Sequence, residues 1–392
     1  MKEEKPRRIC VVTSARADWG LLYPVVRALM NDSRACVDVV ATNMHLQERY
    51  GLTIREIEAD GIQVAERVPM PATGDSPIEK ALATSECMSG MARAFRRLQP
   101  DIVLLLGDRY EMLAVASAAT IMGIPLAHIA GGEITEGAID DNVRHALTKL
   151  SSLHFTATEA YRHRVIQMGE MPDTVWNTGA LGVYNIAREP LMVQTDLERS
   201  IGMKLDRDTL LVTLHPATRD AVPVAQRCRA LLDALDRFPS SKLLFTYPNN
   251  DAEGSVIIGL IENYAALHPE RAKVVPSLGR LRYLSALRCV GAVVGNSSSG
   301  LVEVPSSGIP TVDIGIRQKG RMAPEGVIHC EADADSIAAA VAEALSPEGR
   351  RRAAEAPNPY YRPDTVDIIA GALIETPLEK LQPKHFYDLP QG

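Results

Sequence analysis

Short runs of valine, isoleucine and leucine alternate with amphipathic stretches along the whole 392-residue chain. Runs that are apolar at nearly every position are typical of strands buried on both faces, and strand–helix alternation favours a parallel sheet with right-handed crossovers. The pattern therefore predicts an α/β protein of two doubly wound domains. The predicted strands are Ile9–Thr13, Val37–Ala41, Ile62–Val68, Ile102–Leu106, Pro125–Ile129, His154–Thr156, Val175–Gly179, Leu210–Leu214, Leu243–Tyr247, Lys273–Val275, Ala292–Val294, Thr311–Ile314 and Val327–His329.

The alternation is interrupted once, in the stretch LGVYNIAREPLMVQ between residues 181 and 194, and then restarts. A chain of this length favours two domains. We place the boundary near residues 180–195 and expect domains at 1–185 and 186–362. Predicted helices include Leu21–Met30, Pro77–Leu98, Ala114–Met122 and Asn142–Leu150.

Five polar clusters each follow a predicted strand. In open α/β sheets ligands bind outside the carboxyl ends of the strands, where such clusters would meet. We therefore expect a binding site in the cleft between the two sheets. The clusters are SARAD from residue 14, GDRYE from 107, GGEITEGAIDD from 131, HPATRD from 215 and GNSSSG from 295.

Three carboxylates, Asp108, Glu133 and Asp140, lie in two of the neighbouring loops. Carboxylates gathered in a cleft can act as general acid and base when their surroundings separate their pKa values. The structural alternatives are that Asp140 caps the following helix and that Asp108 pairs with Arg109.

Positively charged groups accompany these carboxylates. His215 follows the first strand of the second domain, where a histidine can serve as an acid, a base or a phosphate donor. Arg16, Arg144 and Arg317 lie in other strand-end loops or just beyond them, and the arginine fork suits diphosphate oxygens. A structural role for His215 remains the alternative.

The stretch GNSSSG combines Asn296, three serines and flanking glycines before a helical pattern. Unpaired N–H groups at a helix start and serine hydroxyls favour an anion site, with Ser297 and Ser298 as candidate donors. Glu303, one turn later, is suited to accept hydrogen bonds from ribose hydroxyls. The alternative is an ordinary N-cap turn. The sequence has no GxGxxG after a strand and no GxxxxGK[ST], so the usual NAD and P-loop sites are not predicted.

The composition and charge restrict the classes of partner that we expect for the protein. The formal net charge is -7 and the pI about 5.8, which argues against nucleic acid. No apolar run approaches the length of a membrane span, and the six cysteines are scattered without metal-ligand spacing. We expect a cytoplasmic protein without a membrane partner.

The segments SARADWG, NMHL, LLLGDRYE, HIAGGEITEGAIDDNVRHALTKLSSLHFTATE, TLHPAT, VVGNSSSGLVEVP and IGIRQKGR occur in this order along nearly the whole chain. Together they resemble the hydrolysing UDP-N-acetylglucosamine 2-epimerases, most closely the bacterial sialic-acid and legionaminic-acid pathway branch.

The resemblance implies a GT-B-like fold with the active site between two Rossmann-like domains, and a C-terminal segment, 363–392, that crosses back to the first domain. It implies conversion of UDP-N-acetylglucosamine and water to N-acetylmannosamine and UDP, through elimination of UDP and addition of water. It also implies no cofactor, no essential metal and a homodimer or homotetramer.

Residue by residue, the resemblance assigns catalysis to Asp108, Asp140 and His215, with Glu133 added by the GGE pattern of the bacterial branch. Ala130 stands where the animal and non-hydrolysing relatives have a glutamate. Glu133 is therefore expected to take over the acid–base task of that glutamate. The resemblance also matches Arg16 to a nucleotide contact, Ser297 and Ser298 to phosphate contacts, and Glu303 to the ribose contact. We predict four further contacts with the UDP-sugar, at His45, Arg144, Asn296 and Arg317.

Three alternatives remain open. The same reaction on UDP-N,N'-diacetylbacillosamine would use the same motifs. A GT-B glycosyltransferase would pass the sugar to an acceptor, but three carboxylates exceed the one base that simple transfer needs. A nucleotide-binding regulatory protein would bind UDP without turnover.

Overall fold

The computed structural model describes residues 5–71, 76–136, 139–188, 190–217, 222–248 and 253–390. The chain divides into two compact units. Unit 1 comprises residues 1–133, 140–184 and 362–392, and unit 2 comprises 134–139 and 185–361.

Unit 1 contains a seven-stranded parallel sheet of order β3-β2-β1-β4-β5-β6-β7. Its strands are β1 (Arg7–Thr13), β2 (Ala35–Thr42), β3 (Val64–Val68), β4 (Ile102–Leu106), β5 (Leu126–Ile129), β6 (Leu153–Thr156) and β7 (Val175–Asn177). Its helices are α1 (Arg16–Met30), α2 (Ile54–Ala59), α3 (Pro77–Leu98), α4 (Glu111–Ile121), α5 (Asp140–Leu150), α6 (Glu159–Gln167) and the start of α7 (Leu181–Arg188).

This sheet is buried on both faces. In β1, Ile9 and Val11 join one core cluster, whereas Cys10 and Val12 join another on the opposite face. Successive strand residues point to opposite faces, so a strand segment that is covered on both sides is typically apolar at consecutive positions. The C-terminal helix, Thr365–Glu375, packs into the first cluster through residues such as Leu373.

Unit 2 contains a six-stranded parallel sheet of order β10-β9-β8-β11-β12-β13. Its strands are β8 (Leu210–Thr213), β9 (Leu243–Thr246), β10 (Ala272–Val275), β11 (Ala292–Gly295), β12 (Thr311–Ile314) and β13 (Val327–Cys330). The remaining helices in chain order are α8 (Gln194–Ile201), α9 (Val224–Leu235), α10 (Gly254–Leu267), α11 (Gly279–Leu287), α12 (Ser298–Val302), α13 (Ala334–Leu345), α14 (Pro347–Glu355) and α15 (Thr365–Glu375) of unit 1. Short 3-10 segments are Asn43–Leu46, Glu48–Tyr50, Pro172–Thr174, Val304–Ser307 and Leu378–Lys380.

The expectation of two doubly wound α/β domains is confirmed. Both sheets reverse their strand order at one point: β1 neighbours β4 in unit 1, and β8 neighbours β11 in unit 2. Ligands bind outside the carboxyl ends of the strands at such reversals. The clusters SARAD and GDRYE flank the first reversal, and residues 215–217 of the HPATRD cluster and the GNSSSG cluster flank the second.

Helix starts differ from the sequence predictions. Helix α1 begins at Arg16 rather than Leu21, and α5 begins at Asp140 rather than Asn142. Both polar starts were assigned to loops because helical periodicity is carried by apolar residues, which come later. Among the helices of the described residues, none has the length and apolarity required to cross a membrane.

Candidate functional site

Arg144 is the centre of the polar cluster in unit 1. Its side chain is 1% exposed, and Nη2 donates to a carboxylate oxygen of Asp108. Nη1 donates to the backbone carbonyl of Glu133 at 3.0 Å and to Oδ1 of Asp141 at 3.3 Å. One guanidinium therefore holds the loop after β4, the GGE loop and the start of α5 together.

The sequence left open whether Asp108 pairs with Arg109. The structure pairs Asp108 with Arg144, whereas Arg109 Nε lies 2.8 Å from Glu111. The burial of Arg144 against protein groups suits a positioning role, and its contact with substrate stays a prediction. Asp140 is the first residue of α5, so it lies within the helix rather than before it.

The GGE loop is held tightly. Gly132 has φ 81°, and a Cβ there would lie 2.5 Å from the carbonyl oxygen of Tyr161. Only glycine avoids both the strain and the clash. The next residue, Glu133, is 7% exposed. Ala130, which replaces the glutamate of some relatives, has φ 69°, a backbone conformation that is uncommon for residues other than glycine.

A buried network that the sequence did not reveal lies beside Asp108. Glu111 is fully buried and accepts hydrogen bonds from Arg109 Nε at 2.8 Å and Asn43 Nδ2 at 2.7 Å. Burial opposes ionisation of Glu111, but these partners outweigh it and lower its pKa. Burial raises the pKa of Asp18, against the attraction of Arg109 and a hydrogen bond from Ser14. Arg109 and Glu111, which follow Asp108 within three positions, were the available sequence signal.

Two other predicted residues of unit 1 differ in accessibility. Arg16, at the start of α1, is 43% exposed and pairs with Glu56 at 3.0 Å. His45 is buried, with Nε2 3.0 Å from Thr13 Oγ1 and Nδ1 2.9 Å from Thr53 Oγ1. Burial lowers the pKa of His45 to about 4. Both ring nitrogens of His45 are therefore occupied by protein groups, and its contact with the UDP-sugar stays a prediction.

In unit 2, His215 and Asn296 join the ends of β8 and β11. The backbone N–H of His215 donates to Asn296 Oδ1 at 2.7 Å, and Asn296 Nδ2 donates to the His215 carbonyl at 2.9 Å. The Asn296 carbonyl in turn accepts from Arg317 Nη1 at 3.0 Å and Gln318 Nε2 at 2.9 Å. Burial, with a smaller effect of Arg317, lowers the pKa of His215 well below its usual value, so its ring is neutral at pH 7.

The serine loop requires glycine before it. Gly295 has φ 148°, and a Cβ there would lie 1.8 Å from the carbonyl oxygen of Thr213. Ser297 is the N-cap residue of α12 with no side-chain capping bond, and α12 has only five residues. Ser299 differs from its neighbours because its Oγ lies 2.6 Å from the Tyr283 hydroxyl.

The structure thus collects the predicted residues into two sets, one in each unit. Unit 1 holds Asp108, Glu133, Asp140 and Arg144, and unit 2 holds His215, Asn296, Ser297, Ser298, Glu303 and Arg317. Residues 218–220 of the HPATRD cluster lie outside the described residues. Within the described ranges, no three histidine, cysteine, aspartate or glutamate side chains are grouped so as to hold a metal ion.

A sequence profile described as UDP-N-acetylglucosamine 2-epimerase matches residues 27–374. The chain belongs to the UDP-N-acetylglucosamine 2-epimerase family. This membership confirms the resemblance found in the sequence.

Similar proteins and a similar solved structure support the same family assignment. A GDP/UDP-N,N'-diacetylbacillosamine 2-epimerase (hydrolyzing) of Campylobacter jejuni is 39% identical over 83% of this chain and 84% of the relative. A UDP-N,N'-diacetylbacillosamine 2-epimerase (hydrolyzing) of Legionella pneumophila is 33% identical over 87% of this chain and 89% of the relative. The crystal structure of UDP-GlcNAc 2-epimerase from Neisseria meningitidis bound to UDP-GlcNAc matches with a TM-score of 0.80, at 17% identity, over 94% of this chain and all of that one. Together with the two parallel-sheet units, this likeness establishes the GT-B-like fold of two Rossmann-like domains.

Proposed function

We propose that the protein is a hydrolysing 2-epimerase that converts UDP-N-acetylglucosamine and water to N-acetylmannosamine and UDP. The observation that carries the proposal is the Arg144 cluster, which joins the segments bearing Asp108, Glu133 and Asp140. Epimerisation at C2 needs one group to remove a proton and another to return it from the opposite face. A set of three carboxylates meets that requirement.

In the proposed reaction, a carboxylate base takes the C2 proton while the C1–O bond to UDP breaks. The electron pair of the C2–H bond forms the C1–C2 double bond of a glycal, and the diphosphate leaves with the C1–O electrons. Water then adds at C1 while a second carboxyl group protonates C2 from the other face. The carboxylate so formed accepts the proton that the water gives up, and the first carboxyl group releases its proton to solvent. Buried surroundings strengthen the charge interactions on which these steps depend.

We assign UDP to the strand ends of unit 2. Ser297, Ser298 and the N–H groups around Gly300 are proposed to bind the diphosphate. Glu303 is proposed to bind the ribose, and Arg317 to balance the negative charge of the diphosphate. Because α12 is short, hydroxyl and N–H donors rather than the helix dipole would supply most of the binding. Neutral His215 is suited to donate a hydrogen bond to the leaving oxygen. Asn296, whose side chain bonds the His215 backbone, is assigned to positioning that residue.

UDP-N,N'-diacetylbacillosamine is a second candidate substrate, and a specific observation favours it. The relatives at 39% and 33% identity both carry the name of that sugar. The reacting C1–C2 bond and the 2-acetamido group would be the same, so the carboxylate chemistry is unchanged.

The proposal is tested by incubating the protein with each UDP-sugar in the absence of any acceptor. We expect UDP and the free 2-epimerised sugar in equal amounts from one of the two substrates. A requirement for an acceptor alcohol would favour a glycosyltransferase. UDP binding without any product from either sugar would contradict the proposal.

A further inference from the structure

His128 is a buried histidine of β5 that the sequence offers no reason to select. Its Nε2 lies 2.7 Å from the carbonyl oxygen of Gly107, the residue before Asp108. The next residue of β5, Ile129, accepts a hydrogen bond from the Gly107 N–H at 3.0 Å. Two consecutive residues of one strand therefore fix both polar groups of Gly107, which has φ 77°.

The other edge of the His128 ring faces the two remaining carboxylate-bearing segments. Nδ1 lies 3.4 Å from the hydroxyl of Thr148, on α5. A Cβ at Gly131 would lie 3.2 Å from this Nδ1 and 3.0 Å from Thr148 Oγ1. The GGE loop therefore passes directly over the contact between His128 and Thr148.

The hydrogen-bond chemistry fixes the state of the ring. A carbonyl oxygen only accepts, so Nε2 carries the hydrogen. Burial lowers the pKa of His128 to about 4, against the effect of the Gly107 carbonyl, so the ring is neutral at pH 7 and Nδ1 is an acceptor. Thr148 has one hydroxyl hydrogen, which Nδ1 shares with the Arg144 carbonyl at 3.0 Å.

We propose that His128 is a positioning residue that sets the mutual geometry of Asp108, Glu133 and Asp140. It bonds the peptide before Asp108, packs against the loop leading to Glu133, and contacts the helix that begins at Asp140. Small displacements of reacting groups cost large factors in rate, so a residue that aligns three of them acts on turnover rather than on nucleotide binding. The inference rests on the proposed function, because it assigns the three carboxylates to one reaction.

Replacements of His128 can distinguish the contact made by Nε2 with the Gly107 carbonyl from the contact made by Nδ1 with Thr148. Glutamine can place an amide nitrogen near the position of Nε2, whereas the shorter asparagine reaches only the position of Nδ1. We expect His128→Gln to keep kcat within about threefold of the wild type, and His128→Asn and His128→Leu to lower kcat by about 10²-fold. KM and the Kd for UDP should change less than twofold in all three.

Equal kcat values for the folded Gln and Asn variants would overturn the proposal, and so would a kcat for either Asn or Leu within twofold of the wild type. If the Leu variant does not fold, the Gln–Asn pair still decides. Thr148→Val should lower kcat with KM unchanged. Thr156→Val is its control, since that threonine is equally buried but donates to the Trp176 carbonyl on β7 rather than contacting His128. Equal effects of the two valine variants would also contradict the proposal.

A spectroscopic measurement separates failure of this inference from failure of the proposed function. Nitrogen-15 NMR of the imidazole rings at pH 7 should show His128 neutral with its hydrogen on Nε2. A cationic ring, or a hydrogen on Nδ1, would overturn the inference whatever the activity. If the wild type turned over neither UDP-sugar, the proposed function would fail, and with it the effect on turnover expected of His128 as a positioning residue.

Discussion

The guanidinium of Arg144 is buried against the carboxylate of Asp108, although 36 positions separate them in the sequence. The same side chain bonds the Glu133 carbonyl and Asp141. Arg144 therefore holds three chain segments together beside the carboxyl ends of β4 and β5. This relationship leads to the first prediction.

Replacing Arg144 by lysine should lower both turnover and stability. Lysine lacks the planar fork, so it cannot bond Asp108 and the Glu133 carbonyl together. Loss of a hydrogen bond to a charged group costs about 1.5–3 kcal/mol, which urea unfolding would measure. Arg199→Lys is the control, because the Arg199–Asp196 pair is largely exposed and its loss should leave stability unchanged. Equal stability of the Arg144 variant and the wild type would contradict the positioning role.

Replacing a carboxylate by its amide should affect the chemical step. We expect Asp108→Asn, Glu133→Gln and Asp140→Asn each to lower kcat by about 10²–10⁴-fold, because proton transfer contributes mainly in the transition state. The effects should not add, since the groups act as a unit. Calorimetry should find UDP affinity nearly unchanged, and the exposed Asp335→Asn should leave both quantities unchanged. Full activity of Glu133→Gln would show that Glu133 takes no part in proton transfer. No residue would then be assigned to the task of the glutamate that Ala130 replaces.

Replacing Ser298 by alanine should weaken UDP binding by about 1.5–3 kcal/mol, because a hydroxyl donor to a charged diphosphate is lost. Ser299→Ala is the matched control, since the Ser299 hydroxyl is bonded to Tyr283. Calorimetric titration with UDP measures both. Unchanged affinity in the Ser298 variant, or an equal loss in the two variants, would argue against a diphosphate contact for Ser298.

Acid should destabilise the fold between about pH 6.5 and pH 4. The pKa values of His45 and His128 are each lowered to about 4, so the unfolded chain binds more protons in this window. The free energy of unfolding should therefore fall as the pH is lowered, by up to about 1.4 kcal/mol per pH unit for each histidine. Urea unfolding from pH 7 to 4.5 measures the slope. His128→Gln should reduce it. An unfolding free energy that is constant across this window would contradict the assignment.

Much of the architecture was predictable because its physical signal is local. Each predicted apolar run became a strand, since a strand covered on both faces must be apolar at consecutive positions. The rule that ligands bind outside the carboxyl ends of the strands then pointed to Asp108, Glu133 and His215, which follow three of these strands. The alternation of strands and helices also predicted that both sheets are parallel, whereas the order of the strands is known only from the structure.

The features that were missed depend on contacts distant in sequence. Arg144 was assigned to substrate because its charge suited a diphosphate, and only the fold reveals that it is buried against Asp108. His128 lies in an apolar strand and is indistinguishable in sequence from a core histidine. Nothing in the sequence indicated that residues 134–139 belong to unit 2, where the Glu136 N–H donates to the Lys319 carbonyl at 3.2 Å.

The most direct test of the proposed reaction is NMR of the product formed in heavy water from each UDP-sugar. Elimination removes the C2 proton to a carboxylate, and C2 is reprotonated from the opposite face by a group that has exchanged with solvent. The account therefore predicts free UDP and a 2-epimerised sugar with deuterium at C2. A 2-epimerised product that retains the original hydrogen at C2 would contradict it.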